Sequence, residues 1–160
     1  IATPWIVHGA EAARVATSDS LRVQLGRQAV EEGWLNLPAL EPNILLLTKT
    51  KKDGVTKSYL SVQKVSNDSR VKDLEKKLND KIIKRGEKFG YLILMDDPEY
   101  GPQGVVHLKL QESDTKAVRE QTWFFGKART FTVNEWGPER VTEKTHDQIQ
   151  NVLLTNARAP

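Results

Sequence analysis

Residues 43–136 are dominated by alternating or β-branched runs separated by turns only a few residues long, and that spacing restricts how the strands can pair. A parallel crossover needs roughly a dozen residues or more, whereas an antiparallel hairpin closes in roughly two to five. Lys51-Lys52-Asp53-Gly54 is such a turn, because Asp-Gly supplies the positive φ angles that a tight hairpin requires. It joins Ile44–Thr50 to Val55–Val65, in which Leu60 and Val62 fall on one face and Tyr59 and Ser61 on the other. Val105–Gln111 alternates in the same way, with Val106, Leu108 and Leu110 opposite Val105, His107, Lys109 and Gln111. Tyr91–Met95 reads as a short buried strand, Asp96–Pro102 as a loop, and Gln121–Phe125 and Arg129–Glu135 as two further strands around Gly126. Trp136-Gly137-Pro138 ends the sheet.

Three segments carry helical spacing instead. Thr17-Ser18-Asp19-Ser20 is a cluster of capping residues ahead of Leu21, Leu25, Ala29, Val30 and Trp34, which predicts about four turns, broken near Gly33 and stopped by Pro38. Behind Asn67-Asp68-Ser69, the residues Val71, Leu74, Leu78 and Ile82 recur at helical intervals, and Gly86 is the expected stop. A last helix, capped near Thr142, carries Ile149, Val152 and Leu153 on one side. The expected fold is α+β: one domain with a mainly antiparallel sheet, an N-terminal helix, a central amphipathic helix and a C-terminal helix. The strands near Val65 and Tyr91, joined by the central helix, leave room for one parallel pair. At 160 residues the chain suits one domain, taken as 17–160, behind a leader at 1–16 that is ordered only if it docks. Its start, Ile-Ala-Thr-Pro-Trp without an initiator Met, suits a processed chain.

The absence of Cys removes disulfides, thiolate zinc sites, iron–sulfur clusters and cysteine nucleophiles together. No apolar run approaches the ~20 residues of a membrane-spanning helix, so no transmembrane segment is expected in this chain. There is no Gly-rich phosphate loop followed by a helix and no nucleophile elbow, so no cofactor is expected and no catalytic residue stands out. His8, His107 and His146 show no metal-ligand spacing and are expected to face solvent, and no metal site is predicted.

Charge is unevenly placed. The net value is +3, but residues 49–88 hold 13 basic and 6 acidic side chains, and the remainder is acidic. At 100° per residue, Arg70, Lys77, Lys81 and Lys84 fall within a sector of about 60° on the central helix. With Lys49, Lys51, Lys52 and Lys57 on the hairpin they offer an anion-binding face for nucleic acid, countered by Asp73–Lys77 and Asp80–Lys84 pairs at i,i+4. Asp96, Asp97 and Glu99 offer carboxylate oxygens for a Mg²⁺- or Ca²⁺-dependent hydrolase, although the strand that follows lacks the second carboxylate such a site needs. Trp123-Phe124-Phe125 cannot bury all its rings on one sheet face, so either both faces are covered or one ring is left for a partner.

Residues 58–112 supply a resemblance. Tyr59–Ser69 is a strand ending in a Ser-Asn-Asp turn. Leu74–Gly86 continues the helix, and Phe89–Pro98 and Val105–Gln111 give two strands. This unit resembles the strand–helix–strand–strand form of bacterial envelope lipoproteins of the surface-exclusion, curli-secretion and penicillin-binding-protein-activator kind. The acylated Cys of such proteins is absent from this sequence, and its place would be upstream of Ile1. The resemblance implies a periplasmic or outer-membrane location and a role in assembly rather than catalysis. The leading expectation is therefore a non-enzymatic component that contacts other protein subunits through Trp5, Trp123, Phe124 and Phe125. The nucleic-acid module and the acidic-loop hydrolase stand as alternatives.

Overall fold

The computed structural model describes residues 18–160, and Trp5, His8 and the leader lie outside them. The elements in chain order are α1 (Ser18–Glu31), β1 (Leu35–Leu37), β2 (Asn43–Thr50), β3 (Lys57–Val65), α2 (Ser69–Asn79), β4 (Lys88–Phe89), β5 (Leu92–Leu94), β6 (Glu99–Tyr100), β7 (Val105–Glu112), β8 (Val118–Phe124), β9 (Thr130–Trp136) and α3 (Glu143–Arg158). The α+β class and the three expected helices are present, with α3 starting at its predicted cap, Thr142.

The strands form one sheet in the order β1-β2-β3-β9-β8-β7-β5-β4, with β6 also paired to β7, and every pairing is antiparallel. Among the described residues no parallel pair forms. After α2 the chain starts a new margin at β4 and β5, and β7, β8 and β9 then fill the gap back to β3. Tyr59↔Trp136 and Val65↔Thr130 bound the register that closes it.

Side-chain alternation divides the core between the two faces. Under α1 and α3 lie Leu45, Leu47, Leu60, Val62, Phe124, Phe131 and Val133. Under α2 lie Leu92, Leu94, Val106, Leu108, Leu110 and Phe125. Leu21, Leu25 and Ala29 turn α1 onto the sheet, and the Arg22 Nε donates to the Ile44 carbonyl at 2.8 Å. The helix ends at Gly33, whose φ of +96° lets Trp34 N–H reach back to the Ala29 carbonyl at 3.0 Å.

The central helix departs from expectation at its end. Asp68 caps its start, accepting from Arg70 and Val71 N–H. Lys81, at φ +57°, lets Ile82 N–H bond the Lys77 carbonyl, and the Tyr100 hydroxyl donates to the Leu78 carbonyl at 2.7 Å. The helix therefore stops before Ile82, which is 57% exposed, and Ile83 enters the core instead. Gly86 lies in a later turn. Two helical positions assigned to the basic stripe, Lys81 and Lys84, are not on the helix.

The N-terminus of α3 is held by Glu32, the residue that follows α1. The Glu32 carboxylate accepts from Thr142 N–H at 3.2 Å, Thr142 Oγ1 at 2.7 Å and Thr145 Oγ1 at 2.5 Å. Burial pushes Glu32 upward, but these bonds outweigh it and hold its carboxyl below the ordinary 4.5. Its contribution is thus present above pH 4.5 and is lost as pH falls through the lower folded-state value. Glu32→Ala is expected to destabilise by about 1 kcal/mol at pH 7, with a melting difference that shrinks on acidification. Thermal melts at neutral and acidic pH check this, and an equal difference at both would refute it.

Candidate functional site

The predicted partner residues divide sharply. Phe124 is 2% exposed in the α1/α3 core and Phe125 is 5% exposed in the α2 core, so neither is open to a partner. Both faces are covered at this point, and alternation sends one ring into each core. Trp123 alone stays half-buried. It stacks on Phe125 with ring centroids 5.2 Å apart and donates from Nε1 to Gln121 Oε1 at 2.8 Å.

The predicted cations do not gather into one surface. Lys49 lies on the α1/α3 side, with Nζ 3.4 Å from a Glu139 oxygen and 6.0 Å from the Trp34 ring centroid. Lys51 and Lys52 sit in the hairpin turn, where the Asp53 carboxylate accepts from Thr56 Oγ1, Thr56 N–H and Val55 N–H and is held down to about 2. Arg70 faces Asp68 at 3.6 Å at the start of α2, and Lys77 pairs with Asp73 at 3.0 Å. Lys81 lies 5.3 Å from the Tyr100 ring centroid, and Lys84 is in the turn after the helix. The second expected pair, Asp80–Lys84, is lost because the helix has already ended. Asp97 in the acidic loop accepts from Arg85 N–H at 3.1 Å and so serves that turn. Among the described residues, no three His, Asp or Glu side chains are grouped to hold a metal ion, and no helix is long and apolar enough to cross a membrane.

A different surface emerges on the α2 side. That helix packs over β5, β7 and Trp123, and among the described residues no helix lies over the same face of β1, β2, β3 and the adjoining part of β9. In register across it run Leu35, Thr48, Tyr59, Trp136 and Arg119, then Leu37, Leu46, Ser61, Asn134 and Gln121. Tyr59 and Trp136 stack with centroids 5.3 Å apart, and the Arg119 guanidinium sits 5.3 Å from the Trp136 centroid. Gln121 Nε2 donates to Asn134 Oδ1 at 3.0 Å, extending the chain of bonds from Trp123.

The floor of this surface is buried Ser61, Thr132 and Asn134, and its rim is half-buried Leu46, Tyr59 and Trp136 with Leu35 63% exposed. Two buried side-chain atoms here, Arg119 Nε and Thr132 Oγ1, have no hydrogen-bond partner. At its α2 end the surface meets a groove of about 450 Å³ lined by Pro42, Gln63, Val65, Arg70, Leu74 and Trp123. Aromatic rings and an arginine are the side chains enriched at the centres of protein interfaces. Tyr59 was legible as facing away from Leu60, but its pairing with Trp136 was not. No family model, curated protein or solved structure matches the chain.

Proposed function

We propose that this chain is a non-enzymatic component of a larger protein assembly and that another protein subunit docks on the part of the α2 face over which no described helix lies. The observation that carries this reading is the Tyr59–Trp136–Arg119 row, stacked and partly exposed on a sheet face over which no helix of the described residues lies. Tyr, Trp and Arg are the side chains most enriched at interface hot spots, because large rings bury much area at little conformational cost. Leu35, Leu37 and Leu46 extend the row as an apolar margin. The partner is therefore a protein presenting an apolar or aromatic segment. The resemblance of residues 58–112 to envelope lipoproteins supports placing that assembly in a bacterial envelope.

A photo-crosslinking amino acid at position 59, introduced in the source cells, is expected to form an adduct whose peptides belong to a different protein. Tyr59→Ala/Trp136→Ala is expected to weaken affinity for that protein by about 30-fold or more while the melting transition persists. Adducts only between copies of this chain, or unchanged affinity in the double variant, would overturn the reading.

A further inference from the structure

The opposite face of the sheet holds a group of titratable side chains that the proposed docking surface does not use. Glu135 on β9 lies across from Glu120 on β8, and Glu120 lies across from Lys109 on β7. Glu135 is 4% exposed, and its carboxylate faces His146 Nε2 of α3 at 4.0 Å. Glu120 accepts from Arg140 Nε at 2.9 Å and lies 3.5 Å from His107 Nε2, whose Nδ1 is 2.9 Å from Thr122 Oγ1. The neighbour of Glu135 on β3 is the apolar Leu60. On α3, Glu143 and Asp147 flank His146 but are exposed. Beneath His146 and Ile149 is a void of about 10 Å³, room for no more than one water.

Like-charged residues directly opposite on neighbouring strands repel each other, and a carboxylate this deeply buried needs a proton or a cation beside it. Among the described residues the ion-pair contact of Glu135 is His146 at 4.0 Å, which belongs to a helix rather than to the sheet. The same end of α3 is the end held by Glu32. Two carboxylates from outside α3 therefore meet its first turns.

We propose that these first turns of α3, with Glu32, Glu135 and His146, form a pH-responsive clasp over the sheet that is tightest in mildly acidic solution and loosens as the pH rises. Glu32 works as an anion, accepting three bonds at the positive end of the helix, and fails when it is protonated. Glu135 works while its own carboxyl keeps its proton, with His146 Nε2 of α3 4.0 Å away. Losing that proton leaves a buried anion opposite the anionic Glu120.

The direction of titration agrees with this arrangement. Burial pushes the Glu135 carboxyl above 4.5, more than the charges of His146 and Arg140 pull it down. A group that binds its proton more tightly when folded stabilises fully below 4.5, and that contribution is lost as pH rises through the folded value. Glu120 moves the other way, because the bond and charge of Arg140 outweigh its burial, and it stays ionised. Releasing the clasp would uncover the strip of β8 and β7 around Thr122 and His107, separate from the docking surface on the other face.

Hydrogen exchange of the purified chain from pH 4.5 to pH 8, corrected for intrinsic rates, tests the clasp. Protection of amides 147–153 is expected to fall about tenfold relative to the core amides of α1 across that range. In Glu135→Gln the fall should disappear, and the variant should melt above wild type at pH 8 but with it at pH 4.5. If the variant does not fold, ¹³C titration of the wild-type Glu135 carboxyl serves instead, with a midpoint above 4.5 expected. Parallel protection profiles for wild type and variant, or a Glu135 midpoint at or below 4.5, would overturn the proposal.

Discussion

Gly126→Ala is expected to destabilise the fold by about 3 kcal/mol or more, lowering the melting temperature by about 6–12 °C. Gly126 connects β8 to β9 where the C-terminal turn of α3 crosses the sheet, and a Cβ built there collides with the Ala157 carbonyl and sits 2.5 Å from the Arg129 carbonyl oxygen. Both obstacles are backbone, so no rotamer change relieves them. Either the helix end must lift or the β8–β9 connection must shift. The Gly126 carbonyl also accepts from Asn67 Nδ2 at 2.8 Å, which ties the connection to the start of α2 and leaves it little freedom to move. Gly54→Ala is the control. Gly54 has a φ of +75° but nothing within 4 Å of the added Cβ, so its cost is backbone strain alone, about 1 kcal/mol. Calorimetric melts of the two variants separate packing from φ preference. Equal shifts would mean that the close approach at Gly126 carries no energetic weight.

What could be read from residue order was the local part of this fold. Leu60 and Val62 face one core and Val106, Leu108 and Leu110 the other, as period-2 alternation requires, because each strand's faces are set by its own residues. Asp68 and Thr142 were legible as caps for the same reason, since an N-cap bonds within three residues. Strand order was not legible. The insertion of β9 beside β3 pairs Tyr59 with Trp136, two residues far apart in sequence, and no local periodicity announces such a partner. β1, β4 and β6 span three, two and two residues, too few to show a period. The end of α2 was misread because Ile82 continues the apolar stripe, whereas a left-handed Lys81 breaks the helix one residue before it. The candidate surface follows the same division. Trp123 was found because aromatic crowding is visible locally, but the burial of Phe124 and Phe125 depends on helices arriving on both faces. Glu135 and His146 read as ordinary polar positions until α3 folds back over the sheet.

Arg129→Met should be the second costly substitution, at about 3 kcal/mol, because it removes the cation that closes the C-terminus of α3. Arg129 is 9% exposed, and its Nη1 donates to the Asn156 and Ala159 carbonyls at 3.1 Å each and its Nη2 to the Pro160 carbonyl at 3.3 Å. The last carbonyls of a helix have no intrahelical donor and carry the negative end of its dipole, so a buried guanidinium satisfies both needs at once. Met preserves most of the length and apolar stem but supplies no donor, leaving two acceptors to lose their bonds in a nearly dry setting and a third at the exposed Pro160. Arg129→Lys keeps the charge on a single nitrogen that cannot span the same acceptors, so it should fall between Met and wild type. Burial limits screening, so the loss should change little between low and high salt. The helix end that Arg129 holds is the one that Gly126→Ala would push away, since both act on residues 156–159. The double variant should therefore lose less than the sum of the single losses, by about 1 kcal/mol or more, because an end already lifted has no bonds left to lose. Strict additivity in denaturant titrations would show that the two residues hold α3 independently.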